Sequence, residues 1–218
     1  ISENKGEIQV SHTVITIARQ YGSGGKTIGR MLAEDLGIQC YNREILRMAS
    51  DGSGIHERLF GAADEHLKSS LLYRITKKVY KGDVLPPDSD DFTSNDNLFN
   101  YQAKILKELA EEESYVAIGR CADYVLKDYD NVISVFIHAP FDFCLEQAMK
   151  LFTKTEDEMR RYIQKRDKYR GEYYKYYTGQ EWYDARNYDL CLDSSKLGFD
   201  GCVEAIKAYM KVRGIEAK

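Results

Sequence analysis

The glycine-rich segment ARQYGSGGKT (residues 18–27) restricts the fold of this chain more than any other feature. It follows a short β-branched run, TVITIA (residues 13–18), which has the composition of a buried strand. After it, apolar residues recur at helical spacing: Ile28, Met31, Leu32 and Leu36. Gly37 then stands where a left-handed residue commonly ends a helix. A strand, a glycine loop and a helix in this order predict an anion-binding loop in an α/β sheet.

The loop has the residue types that are needed to bind a triphosphate. Glycines let backbone N–H groups approach phosphate oxygens, and the following helix directs its positive dipole end at the same anion. We therefore predict that seven residues bind ATP: Tyr21, Gly22, Ser23, Gly24, Gly25, Lys26 and Thr27. In this prediction Lys26 reaches the β- and γ-phosphates, and the Thr27 hydroxyl is a ligand of Mg²⁺.

One position departs from the motif G-x-x-x-x-G-K-[ST]. Gln20 stands where the motif has its first glycine, so the chain must enter the loop without the conformational freedom of glycine. The alternative interpretation is a glycine-rich turn that only connects a strand to a helix.

The rest of the chain alternates between strand and helix patterns. Further strands are predicted at residues 38–41, 115–118, 132–137 and 188–192, and helices at residues 43–50, 98–111, 141–152, 156–169 and 199–212. This alternation predicts a parallel sheet that is covered by helices on both faces. Residues 81–97 hold two of the three prolines and five aspartates, and we expect them to form a mobile surface segment.

Composition and charge exclude several classes of protein. The 218 residues suffice for one α/β domain, and a net charge of −4 argues against a general nucleic-acid binder. No apolar run is long enough to span a membrane, and residues 1–6 lack a signal-peptide core. The five cysteines form no C-x-x-C pair, so we expect reduced, buried thiols in a cytoplasmic protein.

Six segments together resemble the cytidylate kinase-like proteins among the P-loop nucleoside monophosphate kinases. They are VITIARQYGSGGKTIG (residues 14–29), CYNREIL (40–46), AIGRCADYVL (117–126), VFIHAP (135–140), YYKYYTGQ (173–180) and NYDLCLDSSKLG (187–198). The resemblance implies a three-layer α/β/α P-loop NTPase fold with a five-stranded parallel sheet, a helical acceptor-binding insert and a lid. It implies one domain over residues 1–218, with a core at 13–42, 113–155 and 186–218, an acceptor region at 43–104 and a lid at 156–185.

The same resemblance assigns residues to the acceptor. Arg120, in the Gly119-Arg120 pair after a strand, resembles the arginine that faces the acceptor phosphate in cytidylate kinases. Its planar fork suits two phosphate oxygens; the alternative is a surface ion pair with Asp123. The predicted acceptor-binding set is Arg43, Arg47, Arg120 and Asp123.

The pair Arg166-Asp167 resembles the start of the lid motif. Arg161, Arg166 and Arg170 are spaced to bring positive charge over the phosphates, although a solvated helix face is the alternative. Three positions depart from cytidylate kinases, which carry an aspartate, an arginine and a further arginine near the places of Arg170, Tyr173 and Asn95. Because those family residues hold CMP, the departures leave the acceptor open.

The predicted reaction is ATP- and magnesium-dependent phosphoryl transfer to a nucleoside monophosphate, CMP or dCMP above all, with Lys26, Arg120 and Arg166 as the catalytic residues. One alternative is a P-loop kinase of another small acceptor, and another is a non-catalytic nucleotide-binding regulator. The expected partners are nucleotides, with no nucleic acid and no membrane, for a monomer or homodimer.

Overall fold

The computed structural model describes residues 12–60, 83–85, 87–89, 91 and 93–216. They form a five-stranded sheet in the order β2-β3-β1-β4-β5, and every pairing is parallel. The strands are β1 (Val14–Arg19), β2 (Gln39–Tyr41), β3 (Tyr115–Ile118), β4 (Val132–His138) and β5 (Leu190–Asp193). The predicted five-stranded parallel sheet is therefore confirmed.

Helices cover both faces of the sheet. In chain order they are α1 (Gly25–Leu36), α2 (Glu44–Ser53), α3 (Asn95–Glu112), α4 (Ala122–Val125), α5 (Phe141–Met149), α6 (Glu156–Thr178) and α7 (Ser194–Val212). Alternate residues of β1 face opposite layers: Ile15 and Ile17 pack in one core with α1 and α7, and Val14 and Ala18 pack in the other with α3 and α6. The sheet thus lies between two apolar cores, as a parallel sheet requires.

Helix α6 is longer than the sequence pattern predicts. It begins at a capping box in which Thr155 Oγ1 accepts a hydrogen bond from the Glu158 N–H, and it ends at the left-handed Gly179. The pattern predicts an end at residue 169, because tyrosines dominate residues 173–177. In the structure those tyrosines pack on α3, and the rings of Tyr177 and Phe99 stack with centroids 3.9 Å apart.

Two other helix boundaries have local causes. Helix α3 begins at Asn95, earlier than predicted, because the Ser94 hydroxyl accepts a hydrogen bond from the Asn97 N–H. Helix α7 contains Gly198 with φ 68° and ψ 174°, so a short turn precedes the regular helix that was predicted from residue 199.

The segment predicted to be mobile is described in part. Leu85 donates its N–H to Asn97 Oδ1 at 2.7 Å, which ties this residue to the start of α3. Residues 81, 82, 86, 90 and 92 lie outside the described part, as do residues 61–82 of the predicted acceptor region. The mobility of the segment stays a prediction.

The cysteines follow the expectation with one exception. All five are free; Cys121, Cys144 and Cys202 are buried and Cys40 is half-buried. Cys191 is exposed, and the prediction that it is buried was wrong, because β5 is an edge strand. Within the described residues, no helix combines the length and apolarity that crossing a bilayer demands.

The packing of the glycine loop predicts how a methyl group added at position 22 changes the stability of the fold. Gly22 has φ +84°, and a Cβ there would lie 2.2 Å from the carbonyl oxygen of Cys144 in α5. We expect Gly22→Ala to lower the free energy of unfolding by at least ~2 kcal/mol, measured by urea denaturation.

Gly52→Ala is the matched control. Gly52 lies in helix α2, and among the described residues a Cβ there would meet only Ile105 Cδ1 of α3, at 4.0 Å, an ordinary contact. We expect this variant to gain up to ~1 kcal/mol from higher helix propensity. Equal effects of the two substitutions would contradict the packing described for the loop.

Candidate active site

The glycine loop is held in place by hydrogen bonds from residues that the phosphate motif does not specify. The Gln20 N–H donates to the Ile137 carbonyl at 3.1 Å, and its side-chain Oε1 accepts from the Ala139 N–H at 3.0 Å. Gln20 thus joins the loop entrance to the end of β4. This contact explains how the loop forms without a glycine at its first position.

The side chain of Ser23 stabilises the loop conformation through hydrogen bonds. It is fully buried, and its hydroxyl lies 3.0 Å from the Gln20 carbonyl and 3.1 Å from the Ile137 carbonyl. Its own carbonyl accepts a hydrogen bond from the Ser194 hydroxyl at 2.7 Å. The loop is therefore fixed against both β4 and the start of α7.

Lys26 and Thr27 lie in the first turn of α1, and both side chains are exposed. Lys26 lies close enough to act electrostatically on Glu44, at the start of α2. Burial opposes the ionisation of Glu44, but hydrogen bonds from its own N–H and that of Asn42, with the charges of Lys26 and Arg30, lower its pKa. Lys26 therefore joins the end of the glycine loop to the start of α2 through electrostatic attraction.

A small cavity of about 100 Å³ lies where β1 and β3 end, against helix α6. Guanidinium groups and aromatic rings dominate its lining: Arg19, Arg120, Arg166, Arg170, Tyr169, Tyr173, Tyr174 and Trp182, with Asp123. Pockets for drug-sized ligands usually measure ~300 Å³ or more. The cavity therefore has room for an anionic group and encloses only part of a larger ligand.

The structure brings four of the predicted residues to this cavity and leaves others apart. Arg120, Asp123, Arg166 and Arg170 line it. The glycine-loop residues 21–27 do not line it, and Arg43 and Arg47 are exposed at the start of α2. Arg161 is exposed on α6, one turn nearer its N-terminus than the cavity.

Arg120 enters the cavity from a strained turn. Gly119, Arg120 and Cys121 have φ angles of 73°, 65° and 52°, three left-handed residues in succession after β3. Such a conformation costs of order 1–3 kcal/mol for each residue other than glycine. The turn is closed by the Ala122 N–H, which donates to the Gly119 carbonyl at 3.2 Å. Strain of this kind concentrates at ligand sites.

Asp123 connects the same turn to the lid helix. It is 7% exposed, and its Oδ2 accepts a hydrogen bond from the Tyr174 hydroxyl at 2.6 Å. Burial raises the pKa of Asp123 to about 6, although the bonds from Tyr174 and from the N–H groups of Asp123 and Tyr124 oppose this shift. The carboxylate holds α6 against the end of β3, and its environment is the interior, not the surface ion pair considered from the sequence.

Asp167 fixes α6 to the donor loop, a role that sequence reasoning missed. Both of its carboxylate oxygens accept the Tyr21 N–H, at 2.8 and 3.1 Å. Arg170 Nη1 donates to Asp167 Oδ1 at 3.0 Å and to the Arg19 carbonyl at 3.1 Å. The motif Arg166-Asp167 predicts a role for its arginine alone. The contact of Asp167 with a loop that is distant in sequence cannot be predicted from a local pattern.

Aromatic contacts add to this junction. The rings of Tyr21 and Tyr162 meet edge to face with centroids 5.3 Å apart, and the Arg170 guanidinium lies 5.5 Å from the Tyr21 ring centre. The Arg166 guanidinium lies 5.8 Å from the ring centre of Tyr162. The alternative that Arg166 and Arg170 form only a solvated face does not fit these contacts.

The sheet order and the glycine loop define the chain as a P-loop α/β/α protein of the kinase type. Shikimate kinase from Bacteroides thetaiotaomicron has a similar fold, with a TM-score of 0.52 at 12% identity over 91% of this chain and 98% of that one. An uncharacterised protein from Eubacterium ventriosum is more similar, with a TM-score of 0.68 at 25% identity over 92% of this chain and 99% of that one.

The family follows from the sequence match. The model of the cytidylate kinase-like family matches residues 14–196, and the chain belongs to that family. Cytidylate kinase from Methanopyrus kandleri is 28% identical over 204 residues, which span 89% of this chain and 91% of the relative. The family and the fold together identify a nucleotide-binding phosphotransferase.

The raised pKa of Asp123 predicts a dependence of stability on pH. In the folded chain the Asp123 carboxyl keeps its proton up to a pH of about 6, whereas a carboxyl with the ordinary pKa of 3.8 releases its proton at lower pH. Stability from this group is therefore present below pH ~4 and is lost as the pH rises through about 6. Relative to the Asp123→Asn variant, the free energy of unfolding of the wild type should fall by ~2 kcal/mol between pH 4.5 and 7.

Urea denaturation at several pH values measures this difference. Asp128→Asn, at an exposed position of the same connection, is the control and should follow the wild type. A wild type that gained stability over Asp123→Asn as the pH rose would contradict the burial described for this carboxyl.

The junction between the lid and the loop predicts a second effect. Asp167→Ala removes the acceptor of the Tyr21 N–H and the carboxylate that pairs with the half-buried Arg170, and we expect a loss of ~3 kcal/mol in unfolding free energy. Glu156→Ala removes an exposed partner of Arg160, 2.8 Å away, and should cost less than ~0.5 kcal/mol. Similar losses in the two variants would show that the junction contributes no more than a surface ion pair.

Proposed function

We propose that this chain transfers the γ-phosphoryl group of ATP to a nucleoside monophosphate, with CMP or dCMP as the preferred acceptor. The observation that carries the proposal is the cavity at the ends of β1 and β3, which Arg120 and Arg166 line directly beside the glycine loop. The similarity to a cytidylate kinase over most of the chain supports the same reaction.

The donor side has the groups that this reaction needs. Backbone N–H groups of residues 21–27 and the Lys26 ammonium would bind the triphosphate at the start of α1. Among the described residues no three acidic, histidine or cysteine side chains group as metal ligands. Mg²⁺ is commonly held by few protein ligands together with substrate phosphates, so the exposed Thr27 hydroxyl fits this role.

The acceptor side favours a doubly charged group. Four guanidinium groups face the cavity, whereas Asp123 is bound to Tyr174 and Asp167 to Arg170. The excess positive charge matches a phosphate monoester better than a neutral alcohol. The rings of Tyr173 and Trp182 offer apolar surface for a base.

The chemistry would consist of positioning and charge stabilisation. Bound Mg²⁺ would neutralise charge on the β- and γ-phosphates. Lys26 would hold the donor phosphates, Arg120 would orient the acceptor phosphate for in-line attack, and Arg166 would stabilise charge on the transferring group. No covalent intermediate with the protein is needed: an oxygen of the acceptor phosphate would attack the γ-phosphorus, the bond from that phosphorus to the β–γ bridging oxygen would break, and ADP would leave. Exclusion of water under α6 would protect the donor from hydrolysis.

A second candidate acceptor follows from the three positions that depart from cytidylate kinases. Arg170 pairs with Asp167, Tyr173 packs on Phe99, and the Asn95 carbonyl accepts a hydrogen bond from Tyr177. These residues support the lid and α3. Transfer to a phosphorylated small molecule other than CMP is the second candidate. The free cysteines support a reducing, cytoplasmic setting for either reaction.

The decisive variant is Lys26→Ala. We expect it to lower kcat by at least ~10²-fold while the fold is retained, because a charge that stabilises the transferring phosphoryl group is lost. The assay measures ATP consumption and product over all nucleoside monophosphates with Mg²⁺. Lys168→Ala, whose side chain is 78% exposed on α6, is the matched control and should keep wild-type turnover.

Each outcome of the panel separates the candidates. Strong activity on CMP or dCMP supports the first candidate, and activity on another phosphorylated acceptor alone supports the second. Nucleotide binding by calorimetry without turnover on any acceptor would favour a regulatory protein and refute the proposed reaction.

A further inference from the structure

Arg19 is a charged residue of the cavity that no motif accounts for. It is the last residue of β1, so it immediately precedes the glycine loop at the carboxyl edge of the sheet. Ligands bind at this edge in open α/β sheets. Its position in the chain therefore places an arginine between the donor loop and the acceptor cavity.

The stem of Arg19 crosses the start of α1. A Cβ built on Gly25 would lie 2.5 Å from Arg19 Cβ and 2.9 Å from its Cγ, so the stem lies directly on the backbone of Gly25. Gly25 is the residue before Lys26. A larger residue at position 25 would displace the arginine stem, and the glycine is therefore needed for this contact.

The guanidinium of Arg19 reaches the other side of the cleft. A Cβ built on Gly119 would lie 2.4 Å from Arg19 Nη1, so the head group rests on the backbone of the strained turn that carries Arg120. Two glycines on two different elements thus leave room for one arginine. Arg19 and Arg120 line the same cavity from adjacent strands.

The surroundings of Arg19 hold it in this place. Its carbonyl accepts a hydrogen bond from Arg170 at 3.1 Å, and its charge acts on Asp167. Burial raises the pKa of Asp167 while Arg170, the Tyr21 N–H and Arg19 oppose that shift. Among the described residues, four arginines and one carboxylate, that of Asp123, line the cavity, so positive charge predominates in its lining.

We propose that Arg19 binds the acceptor's phosphate together with Arg120 and so selects acceptors that carry a phosphate monoester. This inference rests on the proposed function for the identity of its ligand. With its stem on Gly25 and its head on Gly119, Arg19 sets the distance between the acceptor phosphate and the donor loop. Two guanidinium forks converging on one phosphate discriminate against uncharged acceptors.

Binding of inorganic phosphate tests the site without any need for turnover. Trp182 is the only tryptophan of the chain and lines the cavity, so its fluorescence reports on occupancy. We expect phosphate to bind the wild type saturably, in fluorescence and in calorimetry. Arg19→Gln should weaken binding by ~10- to 100-fold, the range for a lost charge-assisted contact. Arg19→Lys should lose less, because it keeps the charge but not the fork.

Two further variants make the result specific. Arg160→Ala changes a half-buried arginine of helix α6 that does not line the cavity, and it should leave phosphate affinity unchanged. Lys26→Ala distinguishes the two anion sites: if it lowers the affinity and Arg19→Gln does not, phosphate binds at the donor loop and the assignment of Arg19 is wrong. Unfolding midpoints of all variants show whether a loss of binding reflects a loss of fold.

The kinase assay separates this inference from the proposed function. In an active enzyme, Arg19→Gln should raise KM for the phosphorylated acceptor by ~10-fold or more while the affinity for ATP and Mg²⁺ stays within about threefold. An unchanged KM would overturn the role of Arg19 and leave the kinase activity standing. If the chain bound phosphate through Arg19 but showed no kinase activity, the phosphate site would stand and the proposed function would be refuted. A wild type that bound no phosphate in either measurement would refute the site itself.

Discussion

The bond between the Asp167 carboxylate and the Tyr21 N–H is the interaction on which the candidate site depends, because it joins helix α6 to the glycine loop. A carboxylate that accepts a backbone N–H makes a charge-assisted bond, roughly twice as strong as a neutral one. Arg170 completes the junction by bonding both Asp167 and the carbonyl of Arg19. The cavity exists because these contacts hold α6 across the ends of β1 and β3.

The same helix is also joined to the acceptor side. In its last turns, Tyr177 stacks on Phe99 of α3 and donates its hydroxyl to the Asn95 carbonyl at 3.0 Å, while Tyr174 binds Asp123. One continuous helix therefore contacts the glycine loop at its middle and α3 and Asp123 near its end. The position of this helix is therefore fixed by contacts at both ends of the cavity.

Much of the fold could be predicted because it rests on local patterns. The β-branched run before the glycine loop, the apolar repeat after it and the alternation of strands and helices predicted the parallel sheet. The end of α6 could not be predicted from periodicity, since Tyr173 and Tyr177 owe their helical state to packing against Phe99, far away in the chain. The exposure of Cys191 depended on the edge position of β5.

The sequence by itself determined the glycine loop, the lysine and threonine that come after it, and the arginines that the family resemblance singled out. Those features are local, since a loop between a strand and a helix needs only its own glycines and the next turn. Only the tertiary structure decided that Gln20 replaces a glycine by bonding Ala139, that Asp167 holds the loop, and that Arg19 lies on Gly25 and Gly119. Each of these contacts joins residues far apart in sequence or lies at a strand end whose neighbours are set by sheet order, and no local pattern encodes that proximity.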